Sequence, residues 1–235
     1  MRIVGLDRFL KGEWLDKTME IASNESDISL IRETLEEYLK QEIPGDITRR
    51  KARDKLMAIW VNIPEELECI KSEAIILSNK VFNQERLLLH WTMMFAVYPI
   101  FRDISTIIGA ITDFQDDVTL SLVEKRIYEI WGERSTVKYA VQKIMSSMVD
   151  WQVLERRGNG KFKKKTPIKI ENTSLKLLYL KAYLSVNNKD YIEFFKANNI
   201  KSVFPFEIQY KMEDFALSDE FALVKMGSDV AISLA

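Results

Sequence analysis

The chain has 235 residues, with 34 basic against 35 acidic side chains, one histidine and one cysteine. That length is enough to bury a sizeable core, and the near-zero net charge excludes a chain that binds polyanions through overall charge alone. A single cysteine excludes an internal disulfide. One cysteine with one histidine also leaves no zinc-ligand set and no obvious Cys/His nucleophile pair. With no secretory leader in evidence, a reducing cytoplasm is expected.

Only eight glycines and five prolines are present, and most segments carry helical rather than alternating hydrophobic spacing, so a mainly α fold is expected. The opening "MRIVGLDRFLKGEWLDKTMEIAS" has Phe9, Leu10, Trp14, Leu15 and Met19 at helical intervals. "DISLIRETLEEYLKQEI" follows, with Asp27 as a cap and Ile28, Ile31, Leu35, Tyr38 and Leu39 on one face. "ITRRKARDKLMAIWVNI" turns Ala52, Leu56, Ile59 and Trp60 inward and carries a basic cluster, Arg49, Arg50, Lys51 and Arg53, near its start. Cations there oppose the helix dipole. An acidic partner helix is the favoured explanation, and a phosphate the second.

The next helix, "PEELECIKSEAIILSN", has Pro64 at its first turn and makes Cys69 a small, half-buried residue. "QERLLLHWTMMFAVYPIFRDISTIIGAITDF" is the most apolar stretch and the expected centre of the body, with Pro99 kinking it or splitting it in two. No apolar run reaches the roughly 18 residues of a membrane span. His90, flanked by Leu89 and Trp91, reads as a satisfied core residue rather than a base or ligand. "DFQDD", residues 113–117, reads as helix-capping acid rather than a Mg²⁺ site. No phosphate-binding glycine loop or nucleophile elbow is present, so no catalytic residue, metal or cofactor is assigned.

Charge is unevenly distributed. Residues 124–170 hold twelve basic and five acidic side chains, a balance of +7, and the remainder holds 22 basic and 30 acidic, a balance of −8. Within that island "DDVTLSLVEKRIYEIWG" turns Leu122, Val123, Ile127, Ile130 and Trp131 inward and stops at Gly132. "ERSTVKYAVQKIMSSMVDW" follows, with Val137, Val141, Ile144, Met145 and Met148 on one face. Its other face shows Arg134, Thr136, Lys138, Tyr139, Gln142 and Lys143. Then "WQVLERR" and "KFKKKTPIKI" read as two strands about "GNG", with Arg156, Arg157, Lys161, Lys163, Lys164 and Lys165 at the tip.

Helix, short turn, polar-faced helix and basic hairpin is the order of a winged helix-turn-helix. The helix over about 119–131 would brace the one over about 134–149, which would lie along a major groove of double-stranded DNA. The hairpin cations would hold phosphates, and Phe162 would anchor the wing or pack on a sugar. The expected fold is a helical bundle containing this unit, with a small β element near the C-terminus. Residues 1–117 would form a helical body, 118–170 the winged helix, and 171–235 helices and short strands packing on the body. "SLKLLYLKAYLSVN" and "KDYIEFFKANN" read as helical, and "FALVKMG" and "VAISLA" as strands in an acidic tail. An adaptor binding partner proteins through the same surfaces or through the acidic tail, and an RNA-binding helical protein, are the alternatives.

Three stretches also resemble a known family. "ITRRKARDKLMAIWVNIPEEL", "LLLHWTMMFAVYPIFRDISTIIG" and "ERSTVKYAVQKIMSSMVDWQVLE" are similar to segments of the BrxA proteins of BREX phage-defence operons, over roughly residues 45–170. The resemblance implies a small, mostly helical, non-enzymatic DNA-binding protein that works beside larger defence components.

Overall fold

A computed structural model describes residues 3–216, 218–227 and 229–235. The chain is mainly α. Helices α1 (Gly12–Asn24), α2 (Ile28–Glu42) and α3 (Asp46–Trp60) pack on one another, and α4 (Glu68–Ser78) follows a 3₁₀ turn. Asp27 caps α2 by accepting from the amides of Ser29 (2.8 Å) and Leu30 (3.3 Å). The central apolar stretch breaks at Pro99, as its missing N–H requires, into α5 (Arg86–Val97) and α6 (Pro99–Thr112), bent by 120°. Trp91, Phe95 and Phe101 are fully buried there beside Tyr179 of α9 (Thr173–Val186). Among the described residues, no single helix is long and apolar enough to cross a membrane.

After α6 the order is strand β1 (Asp117–Thr119), α7 (Leu120–Trp131), α8 (Ser135–Asp150), then strands β2 (Leu154–Gly158) and β3 (Lys161–Lys164). These strands form an antiparallel sheet in the order β1-β3-β2. Strand β4 (Ile168–Ile170) pairs in parallel with β6 (Phe206–Ile208). A third sheet, in the order β5-β8-β7, joins Tyr191–Glu193 to a hairpin of Phe221–Met226 and Asp229–Leu234. A short helix, α10 (Phe194–Ala197), follows β5, and α11 (Met212–Ala216) precedes β7.

Several expectations are corrected. Residues 3–11 are not helical. The amide of Leu10 is taken by the Ser147 hydroxyl (2.8 Å) and that of Gly12 by the Asp150 carboxylate (2.9 Å), while Trp151 donates to the Leu10 carbonyl (3.0 Å). Those bonds tie the N-terminal segment to the end of α8, across the expected boundary at 117/118. The stretch 161–170 is not one strand: it breaks at Lys165–Pro167, and Ile168–Ile170 belongs to a different sheet. Tyr191–Glu193 is strand, not helix, because it pairs with β8. Ile28 and Ile130 are exposed, since the buried lines on α2 and α7 run through Ile31, Leu35 and Leu39 and through Val123, Ile127 and Trp131. Cys69 is exposed rather than half-buried.

Candidate nucleic-acid interface

Helix α7 begins with the Thr119 hydroxyl accepting from the Leu122 amide at 3.3 Å, so a threonine rather than the preceding acids supplies the cap. Those acids hold lysines instead: Asp113 pairs with Lys201 (2.6 Å) and Asp116 with Lys164 (3.4 Å). Gly132 ends α7 at φ +77°, a left-handed conformation that favours glycine. The chain turns at once into α8, whose Val137, Val141, Ile144, Met145 and Met148 are buried as their spacing requires, with Ala140 beside them.

The opposite side of α8 faces solvent. Thr136, Lys138, Tyr139 and Lys143 are exposed. Gln142 is half-buried and donates to Glu124 of α7 at 3.4 Å, which reduces its freedom to reach a ligand. Arg134 precedes the first turn of α8 and donates to the Trp131 carbonyl at 3.1 Å, so it also knits the α7–α8 turn.

Phe162 is 3% exposed and lies opposite Val118 of β1 and Arg156 of β2; the Arg156 guanidinium sits 4.9 Å from its ring centre. It therefore anchors the hairpin to the body. The hairpin turn is held on its other side by the Leu120 amide, which donates to the Gly160 carbonyl at 2.8 Å, with Gly160 at φ +68°. With Phe162 inward, its neighbours Lys161 and Lys163 lie on the opposite face of the strand, Lys161 exposed and Lys163 half-buried.

The six hairpin cations are thus not equivalent. Lys164 is half-buried, donates to the Thr112 carbonyl at 2.7 Å, and is part of the frame. Arg157 pairs with Glu155 at 2.9 Å, and Lys165 donates to Gln152 at 2.8 Å. Lys161 and Lys163 make no ion pair among the described residues, although Lys163 lies in register with both Asp117 and Glu155. Lys138 and Lys143 are likewise without an ion pair among the described residues. The outer side of α8 and the hairpin therefore carry positive charge with exposed hydroxyl and phenol groups between.

The cluster at the start of α3 divides. Arg49 is buried and donates to Glu36 of α2 at 2.6 Å, to the Ile43 carbonyl at 3.0 Å and to Asp46; Arg53 pairs with Glu36 at 3.0 Å and Asp54 at 2.9 Å. An acidic partner helix accounts for these two. Arg50 and Lys51 are exposed. What the sequence did not signal is that the fold brings Lys51 and Arg8 to one groove with Lys143. The three are far apart in the chain, and no local pattern joins them.

His90 is buried. Its Nε2 lies 3.0 Å from Asp16, which also accepts from Arg86 at 2.7 Å, and its ring meets Trp60 edge-on. Burial lowers its pKa, outweighing the pull of Asp16. Burial pushes the Asp16 carboxyl up, but the hydrogen bonds and charges of His90 and Arg86 prevail and hold it below its usual value. Asp16, Arg86 and His90 line a cleft of about 400 Å³ that reaches Gln152 and Lys165 at the base of the hairpin.

Compared with family models, curated proteins and solved structures, the chain matches none.

Proposed function

We propose that the protein is a non-enzymatic DNA-binding protein built around a winged helix-turn-helix over residues 99–164, with α8 as the recognition helix and the β2–β3 hairpin as the wing. The carrying observation is the element order α6-β1-α7-α8-β2-β3 closed by a sheet in the order β1-β3-β2, with the exposed side of α8 and the hairpin on the basic stretch of the chain. Lys138 and Lys143 on α8, with Thr136 and Tyr139, suit contacts in a major groove, and Arg157, Lys161, Lys163 and Lys165 suit the flanking phosphates. Arg134, Gln142, Arg156 and Lys164 contribute chiefly by holding α8 and the wing in place. The resemblance of residues 45–170 to the BrxA proteins supports a role beside larger phage-defence components in the cytoplasm.

Site-directed variants test this reading. Changing Lys161, Lys163 and Lys165 to Ala should weaken binding to a random-sequence duplex, and changing Lys138 and Lys143 to Ala should weaken it as well. If neither variant differs from the parent on DNA, α8 and the wing are not the interface. Competition by double-stranded RNA as strong as by DNA would transfer the site to RNA.

One observation favours a second reading, a protein adaptor. Strand β7 stands at the edge of its sheet with Leu223, Val224 and Met226 exposed, a surface suited to pairing with another chain. An adaptor would retain its partner when the α8 and wing lysines are removed.

A further inference from the structure

Beside α8 lies a groove of about 550 Å³ formed by the N-terminal segment, the α2–α3 connection and the first turns of α3, with Lys143 of α8 in its wall. We propose that this groove is a second contact for the same duplex, seating a sugar-phosphate ridge beyond the stretch covered by α8. The inference rests on the DNA-binding reading above.

Three observations carry it. First, the groove is continuous with the proposed interface, because Lys143 of α8 forms part of its wall. Second, its charge is one-sided. Arg8, Lys11, Lys51 and Lys143 line it against a single carboxylate, Glu42, and Glu42 is engaged by Lys11 at 2.7 Å and by the Trp14 ring N–H at 3.3 Å. Lys51 and Lys143 have no ion pair among the described residues. Among the described residues Arg8 has only a long one, 3.6 Å to Asp7, which Lys55 shares at 3.5 Å. Third, the lining is not uniformly polar: Phe9, Ile43 and Ile47 contribute apolar surface, and Ile47 is 63% exposed. Apolar surface between cations matches a ridge of deoxyribose edges flanked by phosphate oxygens. A free small anion would gain nothing from it.

This also gives a role to Lys51 within the cluster at 49–53. Two of its members face α2 and are neutralised there, while Lys51 faces the groove. A cation near the start of a helix is disfavoured by the dipole unless an anion is nearby, and a bound phosphate would supply that anion.

The test is fluorescence anisotropy with random-sequence duplexes between 50 and 200 mM salt, on the full chain. Three variants are compared with the parent: Arg8→Ala with Lys51→Ala; the wing variant; and a charge-matched control, Lys80→Ala with Lys225→Ala, at exposed positions elsewhere. Losing two phosphate contacts should flatten the log–log salt slope by about 1.8, so that the parent-to-variant affinity ratio at 50 mM exceeds that at 200 mM by about 12-fold. The loss should appear on a 30-base-pair duplex and shrink on one too short to reach past α8. Arg8→Lys with Lys51→Arg should restore the slope, and melting curves should show all variants folded. If the groove variant matches the parent while the wing variant loses affinity, the groove is overturned and the DNA reading stands. If the groove and control variants lose equally, only net charge is at work and the groove is again overturned. If the parent does not bind at low salt, both readings fall together.

Discussion

Gly109 lies inside α6, where helix propensity alone predicts that alanine would stabilise the protein by about 1 kcal/mol. The packing predicts the opposite sign. A Cβ at this position would overlap the carbonyl oxygen of Lys201 and come within 2.9 Å of its carbon. Both are backbone atoms of the 3₁₀ turn Lys201–Val203, and that turn is pinned. Trp91 donates to the Ser202 carbonyl at 3.1 Å, the Tyr179 and Ser202 hydroxyls meet at 2.8 Å, and Lys201 pairs with Asp113 at 2.6 Å. Overpacking a core costs about 1–3 kcal/mol, and each hydrogen bond lost if the turn moves costs about 1 kcal/mol more. After subtracting the propensity gain, Gly109→Ala should destabilise by about 1–3 kcal/mol, lowering the melting temperature by a few to about ten degrees in a chain of this size. Urea unfolding measures it directly. A midpoint equal to or above the parent's, at unchanged slope, would refute the close approach of α6 and the 201–203 turn.

Further outcomes follow from other contacts. Lys176, 5% exposed, donates to Asp214 at 2.7 Å, and Lys176→Met should cost about 3–5 kcal/mol by stranding that carboxylate, with Lys176→Met/Asp214→Asn costing clearly less in the same unfolding assay. Phe162→Ala should cost about 3–5 kcal/mol if the wing melts together with the body, and should weaken DNA binding without removing a charge; unchanged stability would mean that the ring does not anchor the hairpin. His90 has its pKa lowered by burial, with Asp16, Arg86 and Trp60 facing it. The unfolded chain therefore takes up a proton first, and stability that is complete above about pH 6.5 should fall by up to about 1.4 kcal/mol per pH unit toward the lowered folded value. His90→Gln should flatten that dependence, and an unchanged profile would exclude His90 as its source.

The helices were legible in the sequence where their signals are local. Pro99 divides the apolar stretch, Gly132 ends α7, Asp27 caps α2, and the period of Val137, Val141, Ile144 and Met148 defines the buried face of α8. What could not be read depends on partners distant in the chain. Phe9 and Leu10 sit at helical spacing, yet the amides of Leu10 and Gly12 are taken by Ser147 and Asp150, so the helix starts only at Gly12. Ile168–Ile170 follows directly on the wing residues and reads as their continuation until its parallel partner, Phe206–Ile208, is known. The site behaves alike. The basic tip is visible as a run of letters, but only geometry shows that Lys164 is committed to the Thr112 carbonyl, that Arg157 is paired with Glu155, and that Lys161 projects freely.

In the proposed reading, α8 and the wing hold duplex DNA through cations at the protein surface. The most direct measurement is the affinity of the unmodified protein for a random-sequence duplex as a function of salt. With Lys138, Lys143, Arg157, Lys161, Lys163 and Lys165 all engaged, α8 and the wing should contribute a log–log slope of about −5, and groove contacts of Arg8 and Lys51 about −2 more on a duplex long enough to reach them, since each phosphate contact contributes about −0.9 on B-DNA. A slope near zero, or no binding at low salt, would contradict the account and leave the basic hairpin as a solvated turn or a docking site for an acidic protein.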